Sequence, residues 1–119
     1  MKLTDAEWKI IELLWENGAL TTMEIIRELK DSLGWAKSTT ITLLNRMDDK
    51  GSVRYEIEGK TKKYYPTIQR EEAELEETKS FLDKFYDGNI GLMISNLIKQ
   101  EALSKEDLEE IEKIIKDGE

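Results

Sequence analysis

Between Trp35 and Met47 the sequence carries two different faces when it is read with the period of an α-helix. One stripe has the spacing i, i+3, i+4 and i+7 of a buried face: Thr40, Leu43, Leu44 and Met47. The other side is mostly short and polar: Ser38, Ile41, Thr42, Asn45 and Arg46. Lys37 and Arg46 flank this side and can reach anions. Such a face suits a DNA major groove, where side chains read base edges and cations contact phosphates, although a solvated helix face can look the same.

The chain contains no cysteine and no histidine. Disulfides, thiolate nucleophiles, Cys/His zinc sites and histidine acid–base catalysis are therefore excluded. The carboxylates are scattered along predicted helices without the spacing of a calcium-binding loop. We expect a protein that is not an enzyme and has no cofactor or metal.

No apolar run approaches the roughly 20 residues that a membrane span requires. The first residues, Met1 to Asp5, include no apolar segment of the kind found in signal peptides. We therefore expect a cytoplasmic protein with no membrane contact.

The net charge of −8 is unevenly distributed along the chain. Residues 1–70 hold 12 basic and 11 acidic side chains, whereas residues 71–119 hold 6 and 15. The segment 35–66 is modestly basic, with 7 basic and 4 acidic residues. Phosphates would be attracted to this segment and repelled by the acidic C-terminal part.

Two capping boxes precede the central stretch and predict two helices. Thr4 and Glu7 predict a first helix that stops at Gly18, and Thr21 and Glu24 predict a second. The second helix and the central one are joined by only a few residues, which include Gly34. Two short helices joined in this way, the second with a polar outer face, indicate a helix-turn-helix.

The residues after the central stretch predict a β-hairpin. Residues 52–58 alternate between apolar and polar and predict a strand, and residues 58–61 predict a turn. Residues 62–67 predict the returning strand, which Pro66 terminates. A hairpin after a helix-turn-helix is a wing, and three lysines near its tip could contact phosphates: Lys60, Lys62 and Lys63. A plain edge hairpin with solubilising lysines is the alternative.

From Arg70 the composition changes to three predicted helices with acidic outer faces. About 50 residues rarely bury enough apolar surface to be stable alone. We therefore predict a DNA-binding domain over 1–69 and a helical dimerisation domain over 70–119, with an intramolecular helical cap as the alternative. The predicted dimerisation residues are Phe81, Leu82, Phe85, Leu92, Met93, Ile94, Leu97, Ile98, Ile111, Ile114 and Ile115.

Short segments over nearly the whole chain carry a resemblance to a known family. They are Thr4–Trp8, Leu14–Trp15, Leu20–Thr21, Glu24–Ile25, Gly34–Trp35, Thr39, Thr42–Arg46, Lys50–Gly51, Tyr64–Pro66 and Phe81–Leu82. On these residues the chain resembles the BlaI/MecI family of bacterial winged-helix repressors. The resemblance implies a homodimer that binds a palindromic operator and represses transcription. The residues that match the family's reading face are Ser38, Thr39, Thr42, Asn45 and Arg46, and the wing matches at Lys60, Lys62 and Lys63.

The chain departs from the family pattern at several positions. Ala36 stands where serine often begins the third helix, and Thr40 stands where a branched apolar residue is usual. The family's antibiotic-responsive branch is induced by proteolysis at an Asn–Phe bond, and the matching position here is Asn96 followed by Leu97. Without cysteine, the metal motif of the copper-responsive branch is excluded.

Taken together, the sequence predicts a mostly α-helical fold with a small β-hairpin, in which a winged helix-turn-helix precedes a helical dimerisation domain. The predicted partners are double-stranded operator DNA, a second copy of the chain, and a regulatory protease acting on the bond between Asn96 and Leu97. Loss of the C-terminal interface would then release DNA. Two alternatives are a winged-helix protein-interaction module and a small-molecule-sensing regulator with a pocket at the dimer interface.

Overall fold

A computed structural model describes residues 2–118. The elements follow in chain order: α1 Asp5–Asn17, β1 Leu20–Thr21, α2 Thr22–Leu33, α3 Lys37–Lys50, β2 Val53–Glu58, β3 Thr61–Pro66, α4 Arg70–Tyr86, α5 Ile90–Lys99 and α6 Lys105–Asp117. This order is that of a winged helix-turn-helix followed by further helices, so the predicted fold class is confirmed. No helix within 2–118 combines the length and apolarity needed to cross a membrane.

Both predicted capping boxes are present. At the start of α1 the Thr4 N–H donates to Glu7 Oε1 at 2.9 Å, and the Glu7 N–H donates to Thr4 Oγ1 at 3.2 Å. The same reciprocal pair joins Thr21 and Glu24 at the start of α2. Each pair satisfies two backbone N–H groups, and this fixes where the two helices begin.

The predicted stripe of α3 is buried, and it packs into the core of the N-terminal part. Its partners come mainly from the apolar faces of α1 and α2. The core consists of Leu3, Ile10, Ile11, Leu14, Leu20, Ile25, Leu29, Leu43, Leu44, Met47, Val53 and Tyr64. Burial of this stripe leaves the opposite side of α3 toward solvent, because the two sets of residues lie on opposite faces of one helix.

Thr40 is the polar member of that stripe. Its side chain is 0% exposed, and its hydroxyl makes no hydrogen bond with another residue of 2–118. A buried hydroxyl without a partner loses its hydration and gains nothing in return. The departure from the family pattern at this position is therefore a local cost in stability.

The hairpin is larger than predicted because β1 joins it. The strand order is β1-β3-β2, and both pairings are antiparallel. Leu20 and Tyr55 both lie opposite Tyr64, which is buried. The short segment before α2 thus ties the helix-turn-helix to the wing. The loop between β2 and β3 consists of Gly59 and Lys60, and Gly59 has φ of +67°.

An ion pair joins the start of α1 to the end of α3. Lys50 Nζ lies 2.6 Å from Glu7 Oε1, and Glu7 is almost fully buried. Burial acts to raise the pKa of the Glu7 carboxyl, but hydrogen bonds from Lys50 and with Thr4 together lower it below its ordinary value. The carboxylate is therefore held in its charged form within the fold.

The chain divides into two compact units, one ending at Glu77 and the other beginning at Thr78. Helix α4 starts in the first unit, where Ala73 is buried and the Arg70 guanidinium lies 5.0 Å from the Trp15 ring centroid. Over the described part of the second unit, residues 78–118, no side chain is fully buried. This segment therefore lacks a core of the kind that stabilises the first unit.

Thr40→Val should raise the free energy of unfolding by about 1 kcal/mol, since valine has a similar shape and removes the unpaired hydroxyl. Thermal or denaturant unfolding of the full chain measures this change. Thr39→Val, at an exposed neighbouring position, is the control and should change stability little. A destabilised Thr40→Val protein would mean that the hydroxyl has a partner in solution.

The ion pair predicts a pH dependence of stability. Because the pKa of Glu7 is lower in the folded protein than in the unfolded chain, its contribution is present at neutral pH and is lost as pH falls through the folded pKa. Glu7→Gln should therefore flatten the fall in unfolding free energy between neutral and acidic pH. Glu12→Gln on the same helix is the matched control, and equal pH slopes for the two variants would contradict the assignment.

Candidate nucleic-acid interface

Three of the predicted base-reading side chains form a line along α3. Ser38, Thr42 and Asn45 follow the spacing i, i+4 and i+7, and all three are exposed. Thr39 and Arg46 are exposed on one flank of this line. On the other flank Lys37 is exposed and Ile41 is half-buried. We call the exposed side chains between Lys37 and Arg46, together with Ile41, the α3 face.

The first turn of α3 has no side-chain cap. Ala36 occupies the N-cap position, and no side chain there accepts a hydrogen bond from the backbone of the helix. Uncapped N–H groups at a helix N-terminus attract anions, and the helix dipole adds to that attraction. Lys37, the first helical residue, places a cation at the same end.

Sequence reasoning missed Ala6 as a neighbour of the α3 face. A cleft of about 330 Å³ lies between α1 and α3, and its lining joins Ala6 to residues of α3. The α3 residues are Ser38, Thr39, Thr42, Leu43 and Arg46. No signal within α1 could have shown this, because the proximity arises from helix packing. A small side chain at position 6 leaves the α3 face open on this side.

Asp49 is an acidic residue of α3 that lies beyond the α3 face. It is exposed and lies four residues after Asn45, which continues the line of Ser38, Thr42 and Asn45 by one turn. Asp48 lies on another side of the helix. Burial raises the pKa of Tyr64, and the charge of Asp48 adds to this shift. The line of Ser38, Thr42 and Asn45 therefore continues to a carboxylate that can accept a hydrogen bond, for example from a cytosine amino group.

The three predicted lysines of the wing have different surroundings. Lys60 lies at the tip, is exposed, and forms no ion pair with another residue of 2–118. Lys62 Nζ lies 4.3 Å from the Tyr55 ring centroid, and Lys63 Nζ lies 3.8 Å from a carboxylate oxygen of Glu58. Lys60 is thus the lysine that is most available to a phosphate.

The second unit exposes most of the predicted dimerisation residues. Phe85, Ile114 and Ile115 are each about 60% exposed. Phe81, Leu92 and Ile98 are also exposed, while the half-buried members are Leu82, Met93, Ile94, Leu97 and Ile111. The Phe81 and Phe85 rings lie 4.9 Å apart between centroids. Large apolar side chains that are exposed together are common at sites of interaction.

The predicted proteolytic position lies within a helix. Asn96 is exposed and Leu97 is half-buried, and both belong to α5. Their carbonyl oxygens accept hydrogen bonds from the N–H groups of Gln100, at 3.1 Å, and Ala102, at 2.9 Å. Cleavage here would first require the end of α5 to unwind.

The sequence matches the family model described as penicillinase repressor over residues 3–117. A penicillinase repressor from Bacillus licheniformis is 29% identical over 116 residues, covering 98% of this chain and 91% of that protein.

Two solved structures resemble the fold. One is the solution structure of monomeric BlaI from Bacillus licheniformis in complex with the blaP half-operator. It is 30% identical, covers 59% of this chain and 85% of that one, and has a TM-score of 0.54. The other is the complex structure of hsRosR-S4, which is 21% identical and has a TM-score of 0.56. The match covers 98% of this chain and 90% of that one, and it supports the fold alone. Because the family model spans nearly every residue, the chain belongs to the penicillinase repressor family, whose members are transcriptional regulators and not enzymes.

Proposed function

We propose that the protein is a transcriptional repressor that binds operator DNA through the α3 face. The observation that carries this proposal is the pairing of an exposed polar line with a buried apolar stripe on one helix. The line can enter a major groove and contact base edges, and the stripe fixes its orientation. The BlaI relative in complex with a half-operator supports the same use of the fold.

The proposed contacts divide into two kinds. Base-edge contacts would determine which operator sequence is recognised. They would come from Ser38, Thr39, Ile41, Thr42 and Asn45. Lys37, Arg46, Lys60, Lys62 and Lys63 would contact phosphates. Lys37 acts together with the uncapped N–H groups of α3, and Lys60 extends the contact to the wing. Lys62 and Lys63 would have to leave Tyr55 and Glu58, so we expect them to contribute less.

A second copy of the chain would cover the apolar side chains of residues 70–119, while residues 1–69 bind DNA. The support is that residues 78–118 contain no fully buried side chain, although they carry many large apolar ones. A dimer would place two α3 faces on a two-fold symmetric operator and so raise affinity through effective concentration. We propose that separation of the two copies releases DNA, and that proteolysis after Asn96 is one route to it.

One titration series tests both DNA binding and the division between base contacts and phosphate contacts. The full chain is titrated with the DNA upstream of its own coding sequence and with random duplex. Thr42→Ala should reduce discrimination between that DNA and random duplex by roughly 1–3 kcal/mol, because a base contact is lost. Lys60→Ala should weaken binding to both DNAs alike and lower the salt dependence by about one phosphate contact.

Lys9→Ala serves as the control for the loss of one exposed cation outside the proposed interface, and we expect it to bind like the parent protein. No specific binding to any upstream fragment would refute the repressor. If Thr42→Ala and Lys60→Ala behaved alike, the division between reading and phosphate contact would be wrong.

Ile114→Glu tests the proposed dimer. Burying a carboxylate in the apolar interface should weaken dimerisation by roughly tenfold or more, since it also removes the burial of a large apolar side chain. Sedimentation equilibrium measures the change, and operator affinity should fall with it. Lys113→Gln alters the charge of α6 by the same amount at an exposed position and should leave the dimer intact. A parent chain that is monomeric at micromolar concentration would disprove the dimer.

A further inference from the structure

A cleft of about 580 Å³ lies between α2 and the first turn of α3. Small-molecule sites in proteins typically range from about 300 to 1,000 Å³. Ile26, which is buried, and Met23, which is half-exposed, contribute apolar surface to its lining. The proposed repressor mechanism uses only the edge of this cleft, at Lys37 and the uncapped start of α3.

Trp35 gives the cleft an aromatic wall. The residue is half-buried and packs against the core, and its backbone N–H donates to the Leu29 carbonyl at 3.2 Å. Gly34, with φ of +70°, provides the turn that precedes it. The indole N–H of Trp35 makes no hydrogen bond with another residue of 2–118. The ring is therefore in contact with the core, and its indole N–H has no partner among residues 2–118.

Three cations line the same cleft, namely Arg27, Lys30 and Lys37. None of them forms an ion pair within 4 Å among the residues that the structure describes. Asp31 is the one acidic residue in the lining, so the cleft has an excess of positive charge. By contrast, Lys50 is paired with a carboxylate of the fold. Positive charges gathered around apolar surface favour an anionic ligand.

We propose that this cleft binds a small aromatic carboxylate. The aromatic ring would lie against Trp35 and the apolar surface of Ile26 and Met23. The carboxylate would accept two hydrogen bonds from the Arg27 guanidinium, whose planar fork matches its geometry. Lys30 and Lys37 would add attraction from either side. An inorganic anion would leave the apolar surface uncovered, and a cationic ring would be repelled.

The full chain is titrated with 2-naphthoate to test the site. The indole N–H signals of the three tryptophans are followed in a ¹⁵N-correlated NMR spectrum. The Trp35 signal, identified from its loss in Trp35→Phe, should shift saturably while the Trp8 and Trp15 signals stay in place. Arg27→Met should weaken the apparent affinity by roughly tenfold, because it removes the charge-assisted pair. Naphthalene-2-methanol, which has the same ring and no charge, should bind much more weakly.

Lys9→Met removes an exposed helical cation outside the cleft and should bind 2-naphthoate like the parent protein. Lys30→Met removes a similar cation within the cleft and should bind it more weakly. The proposal is overturned if the Trp35 signal does not respond to millimolar 2-naphthoate. Equal affinity for the alcohol and the carboxylate, or equal affinities of Lys9→Met and Arg27→Met for the carboxylate, would overturn it as well.

A consequence for DNA follows from Lys37, and this part rests on the proposed function. Lys37 lines the cleft and is also a proposed phosphate contact, so a carboxylate in the cleft would neutralise it. At low salt, saturating 2-naphthoate should weaken the binding of random duplex by the parent protein. The Arg27→Met variant should lose much less affinity for the duplex under the same conditions. Unchanged duplex binding would refute the shared role of Lys37, whereas the site itself is judged by the Trp35 signal, which is recorded without DNA.

Discussion

The packing of α3 on the core is the constraint on which the rest of the first unit depends. Leu44 and Met47 are fully buried among the apolar faces of α1 and α2, and the pair between Glu7 and Lys50 joins the beginning of α1 to the end of α3. With one side of the helix fixed in this way, its opposite side has a defined orientation. The proposed reading of DNA uses that orientation.

Local signals were enough to predict much of this fold. The reciprocal hydrogen bonds of Thr4 with Glu7 and of Thr21 with Glu24 depend on residues three apart, and the buried stripe of α3 depends on helical spacing. Contacts between distant residues were not predictable in the same way. Three features arise only when separate elements pack together: the cleft beside Ala6, the contact of Lys62 with the Tyr55 ring, and the cations around Trp35.

The two units obtain their stability from different sources. The first has a continuous core, whereas the described part of the second, residues 78–118, contains well-capped helices without a fully buried side chain. The Ser104 cap of α6 fixes where that helix begins but covers none of its apolar face. Structure in residues 78–118 is therefore tied to protein concentration under the proposed dimerisation, and the core of the first unit is not.

The open start of α3 has a consequence for dynamics. Because Ala36 provides no side-chain cap, we expect the first turn of the helix to fray more readily than the turn around Leu44, and its amide hydrogens to exchange faster. Ser38 and Lys37 lie in this turn. An anion bound at this helix terminus would accept the hydrogen bonds that a cap would otherwise accept, so its binding would also favour the ordered turn.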